Sequence, residues 1–208
     1  MNTPKEIISG TGQQKLWVHC YGCDNKCCIQ NEVVGCDKLK FYVWPNENHF
    51  LIDGLLHFFS YVHDVKITQP MVIIDFNYKN INNFISSDWL SKFEGMRLIL
   101  VSDKRMTAIS HFWFYNDTKS SIITSVIFYD DTKDSIIMKV RNSFLGKITK
   151  PLGRPRLSSR EYFVFKALYN GWKPKKLALS SGLNVKNVYT MKLRIEHKLG
   201  VSIARLAS

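Results

Sequence analysis

The feature that most constrains the fold is a break in the hydrophobic pattern at residues 146–156, where Pro151, Gly153 and Pro155 fall among Lys147, Lys150, Arg154 and Arg156. Upstream of this break, short continuous apolar runs alternate with segments whose apolar residues recur every three or four positions. Downstream only the second pattern persists. One chain with that change of period builds two architectures joined by a stiff, charged connection. The boundaries that follow are a leader at 1–37, an α/β unit at 38–146, a basic linker at 147–156 and an all-helical unit at 157–208.

The leader is Gly-containing and polar, has neither strand nor helix period, and holds all five cysteines. From Leu39 the run to Trp44 reads as a strand stopped by Pro45. A helix with Leu51, Leu55, Phe58, Phe59 and Val62 inward follows. Met71–Ile74 and Met96–Val101 read as strands buried on both faces, as does the stretch around Ile122 to Phe128. Between and after them, helices are expected through Phe84, Ile85, Trp89 and Leu90, through Ile109, Phe112 and Trp113, and through Ile136, Ile137, Val140 and Phe144. Buried strands alternating with amphipathic helices form a parallel sheet with helices on both faces.

Charge separates the two units further. The whole chain has 29 Lys and Arg against 17 acids, a net charge of +12. Residues 148–208 carry 13 basic residues and two acids, Glu161 and Glu196, so +11 of the net charge falls there and +1 in residues 1–147. A small module of that density suits a polyanion, which makes double-stranded DNA the expected partner. No apolar run reaches the ~18 residues a membrane helix needs, and the opening residues lack the form of a secretory signal. A cytoplasmic location without membrane contact is expected.

Within the basic unit, Ser158 and Glu161 have capping-box spacing at a helix start, and that helix ends at Asn170-Gly171. A short helix with Pro174 in its first turn closes at Gly182, and Asn184 caps a third helix to about Leu199. Two helices joined by a tight Gly turn are a helix-turn-helix by geometry. Val188, Met191, Ile195 and Leu199 form the inward stripe of the third helix, leaving Lys186, Asn187, Tyr189, Thr190, Leu193, Arg194 and His197 on the other side. A charged outer face is ordinarily just solvated. This one lacks acids, follows a capped turn and belongs to the basic unit, so it reads as a DNA face.

Leu157-Ser158-Ser159-Arg160-Glu161, Gly171, Leu177-Ala178, Leu183, Val188-Tyr189-Thr190, Ile195 and Lys198-Leu199-Gly200-Val201 resemble the LuxR/FixJ-type DNA-binding domain. The resemblance implies that the third helix lies in the major groove. Tyr189, Thr190 and Leu193 then take base-edge positions, with Lys186, Asn187, Lys192 and Arg194 at phosphates or flanking edges. Asn187 replaces the family's usual Thr and Leu193 a common Lys, so the preferred sequence does not carry over. A closing helix of only about two turns is expected before Ser208. Lys173 and Lys175, beside Pro174, join Arg154 and Arg156 as candidates for phosphate or minor-groove contact. Gly153-Arg154-Pro155 in particular resembles an AT-hook core.

In that family the front half is usually a phosphorylated receiver domain. Here Asp75 and Ser102 follow strands as a phosphoacceptor and its hydroxyl partner would. The acid pair that holds magnesium is absent, since Trp44-Pro45-Asn46-Glu47 offers one carboxylate, and Phe128-Tyr129-Asp130-Asp131 supplies no Lys. Without these groups a transferred phosphoryl has no preorganised partners. Asp75 therefore reads as a sheet-end carboxylate or helix cap in an atypical, receiver-like α/β domain. Across the chain, the leader, Tyr42-Val43-Trp44-Pro45, His111-Phe112-Trp113-Phe114-Tyr115-Asn116 and Val188-Tyr189-Thr190 resemble the EcpR/MatA group of enterobacterial fimbrial regulators. That resemblance implies control of a fimbrial or surface-attachment operon, as a homodimer or beside another LuxR-type regulator such as RcsB.

Cys20, Cys23, Cys27, Cys28 and Cys36 fall within 17 residues, with His19 adjacent. Thiolates at such spacings can surround zinc, hold an iron-sulfur cluster, form a reversible disulfide or simply stay reduced. No cofactor is expected for DNA binding itself. A thiol enzyme acting through Cys20 and Cys23 would need a thioredoxin-type setting that the pattern lacks, so the chain is not read as an enzyme.

Overall fold

The structure is a computed structural model, and it describes residues 16–19, 26–29, 41–60, 71–116 and 123–207. Within the leader, β1 (Leu16–His19) pairs antiparallel with β2 (Lys26–Ile29). This corrects the expectation of a leader without strands. Leu16-Trp17-Val18-His19 and Lys26-Cys27-Cys28-Ile29 are short but rich in β-formers, and pairing supplies what four residues of alternation cannot signal alone.

The α/β unit is a four-stranded sheet of β3 (Phe41–Trp44), β4 (Met71–Phe76), β5 (Arg97–Ser102) and β6 (Ile123–Phe128). The strands are parallel and lie side by side in chain order. Alternation sends Val43, Met71, Ile73, Ile99 and Ile127 to one face, against α1 (His49–Ser60) and α3 (Lys133–Phe144). Tyr42, Trp44, Val72, Ile74, Phe76, Leu98, Leu100, Val126 and Phe128 point to the other face.

On that second face the helix expected through Phe84–Leu90 is two 3₁₀ helices, Tyr78–Phe84 and Ser87–Phe93. The cause is local. Asn77 accepts bonds from the amides of Lys79 and Asn80, and the Asn-rich segment offers the backbone non-α partners. Ile81 and Phe84 sit three apart, the spacing that stacks in a 3₁₀ turn. Their burial feeds an aromatic cluster in which Trp89 meets Trp44, Phe84 and Trp113 at ring centroids of 6.4, 5.2 and 5.7 Å.

The helix α2 (Thr107–Asn116) is buried from Thr107 through Phe114, with no solvent face along that length. A helix buried all round must be covered all round. The sheet covers one side and the C-terminal unit the other. That unit comprises α4 (Ser159–Tyr169), α5 (Pro174–Ser181), α6 (Val185–Leu199) and the single turn α7 (Ile203–Leu206). The ring of Tyr162 on α4 stacks on Phe112 at 4.0 Å and 11° and meets Trp113 edge-on at 5.4 Å. Its hydroxyl donates to the carbonyls of Phe84 and Ile85, at 3.0 and 3.2 Å. Burial pushes the Tyr162 phenol well above its ordinary pKa, so this donor stays protonated.

The basic linker is ordered along the α/β unit rather than suspended between the two units. The Thr149 amide bonds the Thr124 carbonyl on β6, and the Tyr115 hydroxyl donates to the Pro151 carbonyl. His111 Nδ1 lies 3.1 Å from the Pro155 carbonyl, so that nitrogen carries the proton. Burial holds the His111 pKa below its usual value, and the backbone carbonyls of the linker only partly offset this. Leu157, fully buried, then hands the chain to α4.

Candidate nucleic-acid interface

Local chemistry sets each helix of the C-terminal unit. Ser158 Oγ accepts the Glu161 amide while the Glu161 carboxylate accepts the Ser158 amide, which completes the capping box. Pro174 opens α5 and Gly182, at φ 65°, closes it in the left-handed region that a residue without Cβ enters freely. Asn184 accepts the Lys186 amide and starts α6. Val188, Ile195 and Leu199 of α6 are buried against α4 and α5, and Met191 packs beside them.

The opposite side of α6 is exposed. Lys186, Thr190, Leu193 and His197 lie along one ridge at i, i+4, i+7 and i+11, flanked by Asn187, Tyr189 and Arg194. Tyr189 is 47% and Leu193 67% exposed. The Thr190 hydroxyl donates back to the Lys186 carbonyl at 3.0 Å, so its hydrogen is engaged while the residue stays exposed. Lys192 is placed differently. It lies on the flank of the helix, half-buried and 3.9 Å from Glu196, whose carboxylate also accepts the Ile203 amide. His197 is exposed toward the end of the ridge, on the face where the sequence spacing places it.

Neither acid of the unit reaches this ridge. Glu161 pairs with Lys198 at 2.7 Å, and Glu196 pairs with Lys192; their side chains are only 11% and 18% exposed. Burial alone would raise the Glu161 pKa, but bonds from Lys198 and Ser158 outweigh it and hold the carboxyl below its ordinary value. The outward surface is therefore cationic and apolar, with both carboxylates consumed in holding α6 to α4 and α7. Lys173 and Lys175 stand exposed at the start of α5, where Lys176 lies over the Trp172 ring at 5.1 Å.

The linker arginines are already engaged. Arg154 makes a two-pronged bond to Asp130, at 2.8 and 2.6 Å, and its guanidinium lies 4.7 Å above the Phe128 ring. Arg156 covers Tyr115 at 4.8 Å. The acid that holds Arg154 is 24 residues away in the chain and carries no local signal of that role.

Asp75 lies near the carboxyl end of β4 and is 3% exposed. One oxygen, Oδ2, accepts the side-chain amides of Asn48, Asn77 and Asn80 at 3.2, 2.6 and 3.1 Å. Burial pushes the Asp75 pKa up, opposed by these three amides and reinforced by nearby Asp103. Asp103 itself caps the amides of Tyr78 and Met106, and the Ser102 hydroxyl is tied to Ser110. The buried Lys139 amine is bonded to Asp131 and the Val126 carbonyl.

Cys27 and Cys28 fall on β2, whereas Cys20, Cys23 and Cys36 lie outside the described residues. Among the described residues no three His, Cys, Asp or Glu side chains gather as metal ligands, and no helix is long and apolar enough to cross a membrane.

The fold joins a parallel α/β unit to a basic helix-turn-helix docked on its α2. The chain belongs to the family of the EcpR N-terminal domain, whose profile matches residues 19–144. It is 25% identical over 197 residues, 90% of each chain, to a protein of Escherichia coli K12 described as uncharacterized protein YqeH. Solved structures similar to it include two RcsB dimers bound to two parallel DNAs, at 14% identity and a TM-score of 0.45, covering 77% of this chain and 91% of that one. The RcsB response regulator of Salmonella typhimurium matches at 15% identity and a TM-score of 0.36, covering 76% and 92%.

Proposed function

We propose that this protein is a sequence-specific DNA-binding transcription regulator that works without phosphorylation of its α/β domain, and that it controls a fimbrial or surface-attachment operon. The observation that carries the DNA reading is the acid-free ridge of α6, which stays exposed while the helix-turn-helix is docked on α2. A docked unit with an open reading face needs no release step before it binds.

Tyr189, Thr190 and Leu193 are assigned to base edges, and Lys186, Asn187 and Arg194 to phosphates or flanking edges, with His197 extending the face. Thr190 accepts a hydrogen bond or touches a thymine methyl, because its own hydrogen is spent on the Lys186 carbonyl. Leu193 favours a thymine methyl over a guanine edge. Lys173 and Lys175 are assigned to phosphates. Lys192 contributes long-range charge, since Glu196 shares it.

Phosphorylation independence rests on the Asp75 cage. Three neutral amides surround the carboxylate where magnesium and a lysine would have to compensate a phosphoryl group. The fimbrial target rests on the family, whose resemblance carries that role.

A second reading is productive binding only as a heterodimer with another LuxR-type regulator. Ile203 and Leu206 of α7 are buried within the unit, so a second copy would not dock through that turn and a partner would have to engage another surface. Selection from randomised DNA, with and without a second LuxR-type regulator, tests both readings. Thr190→Ala and Leu193→Ala should change the preferred sequence by about 1–3 kcal/mol per lost contact. Lys186→Ala should weaken all sequences alike and lower the salt slope by about one. A preference altered by Lys186→Ala and untouched by the other two would place a different register in the groove.

A further inference from the structure

The strap formed by residues 147–157 brings the most basic stretch outside the helices to a place where an acid holds it. Arg154 is clasped by Asp130 through both guanidinium arms, yet the pair stays open to water, with side chains 25% and 43% exposed. Phe128 lies beneath the guanidinium, 4.7 Å from its carbon to the ring centroid. The fork of donors matching a carboxylate also matches a phosphodiester, and Arg156 waits two residues on, over Tyr115.

We infer that Asp130 is an intramolecular stand-in for a DNA phosphate, so that Arg154 is a further backbone-contact site occupied by the protein's own carboxylate until DNA displaces it. This rests on the DNA-binding reading above. An exposed ion pair is worth little, so the clasp is weak enough to exchange. A duplex held near the unit offers many phosphates in place of one carboxylate. The exchange is a substitution of anions, with no proton or covalent step. Its consequence runs against intuition: an acid on the α/β unit, far from the reading helix in sequence, limits DNA affinity by occupying an arginine.

The test uses the full chain and one duplex, with affinity measured from 50 to 300 mM salt. Asp130→Asn should tighten binding by roughly two- to fivefold, the factor an exposed pair represents. It should also steepen the salt dependence by about one phosphate contact. Asp134→Asn, which removes another exposed acid four residues away, controls for the general gain in positive charge. Arg154→Ala should cost little in the wild type and erase the whole gain in the Asp130→Asn background. Equal effects of Asp130→Asn and Asp134→Asn, or a gain that survives Arg154→Ala, would overturn the inference while the wild type still binds. Failure of the wild type to bind any duplex would instead overturn the DNA reading. Circular dichroism of each variant distinguishes a changed contact from lost structure.

Discussion

Tyr162 offers the sharpest test of the docked arrangement, because in an undocked helix-turn-helix its ring would face solvent. In the structure the ring is 8% exposed, stacked on Phe112, with its hydroxyl donating to two carbonyls of the 3₁₀ segment. Tyr162→Phe keeps the stack and removes the donor, leaving the Phe84 and Ile85 carbonyls without it; the loss should be about 1–2 kcal/mol. Tyr162→Ala also removes the ring, at about 3–5 kcal/mol for a large-to-small change, which includes the stack's own ~0.5–1.5 kcal/mol. For a chain of this size each kcal/mol moves the midpoint by about 2–4 °C. The Phe variant should therefore melt about 2–8 °C lower, and the Ala variant should fall further or separate into two transitions. Urea titrations followed in parallel by tryptophan emission and by circular dichroism read this directly, since Trp89 and Trp113 lie in the α/β unit beside the contact. If both variants stay within about 0.5 kcal/mol of wild type, the value for a surface position, α4 does not rest on α2 in solution and the reasoning fails.

Asp75→Asn should leave DNA affinity unchanged, and acetyl phosphate should leave no phosphate on Asp75 of the wild type; mass spectrometry and a binding titration check both. Glu161 has a depressed folded pKa, so the stability it contributes is present above its unfolded value near 4.5 and is lost as pH falls through the folded value. Acid titration of Glu161→Gln should accordingly show a shallower decline in midpoint than wild type across that range, and a lower midpoint at neutral pH. For the leader, metal content separates a zinc or iron-sulfur site from a reversible disulfide and from reduced thiols. If the cysteines hold metal, anaerobically purified protein should carry a stoichiometric metal that Cys20→Ser with Cys23→Ser removes, and five freely titrating thiols without metal would refute a metal site.

Much of the molecule is legible along the chain because burial within one element leaves a period. Met71–Ile74 reads as a strand since parallel strands are covered on both faces, and Ser158 with Glu161 reads as a helix start since both partners of the capping box lie three residues apart. The ridge of α6 is legible for the same reason: its buried stripe defines the exposed remainder. What the tertiary structure alone decided involves partners far apart in the chain. The aromatic run His111–Tyr115 is compatible with any core helix until Tyr162, with bonds reaching 78 residues back to Phe84, makes it the bed for a second unit. Asn48, Asn77 and Asn80 look like turn residues until the fold gathers their amides on Asp75. Arg154 reads as a free basic side chain until β6 delivers Asp130 to it. Local periodicity records how much of a side chain is covered, but it carries no information about which distant segment does the covering.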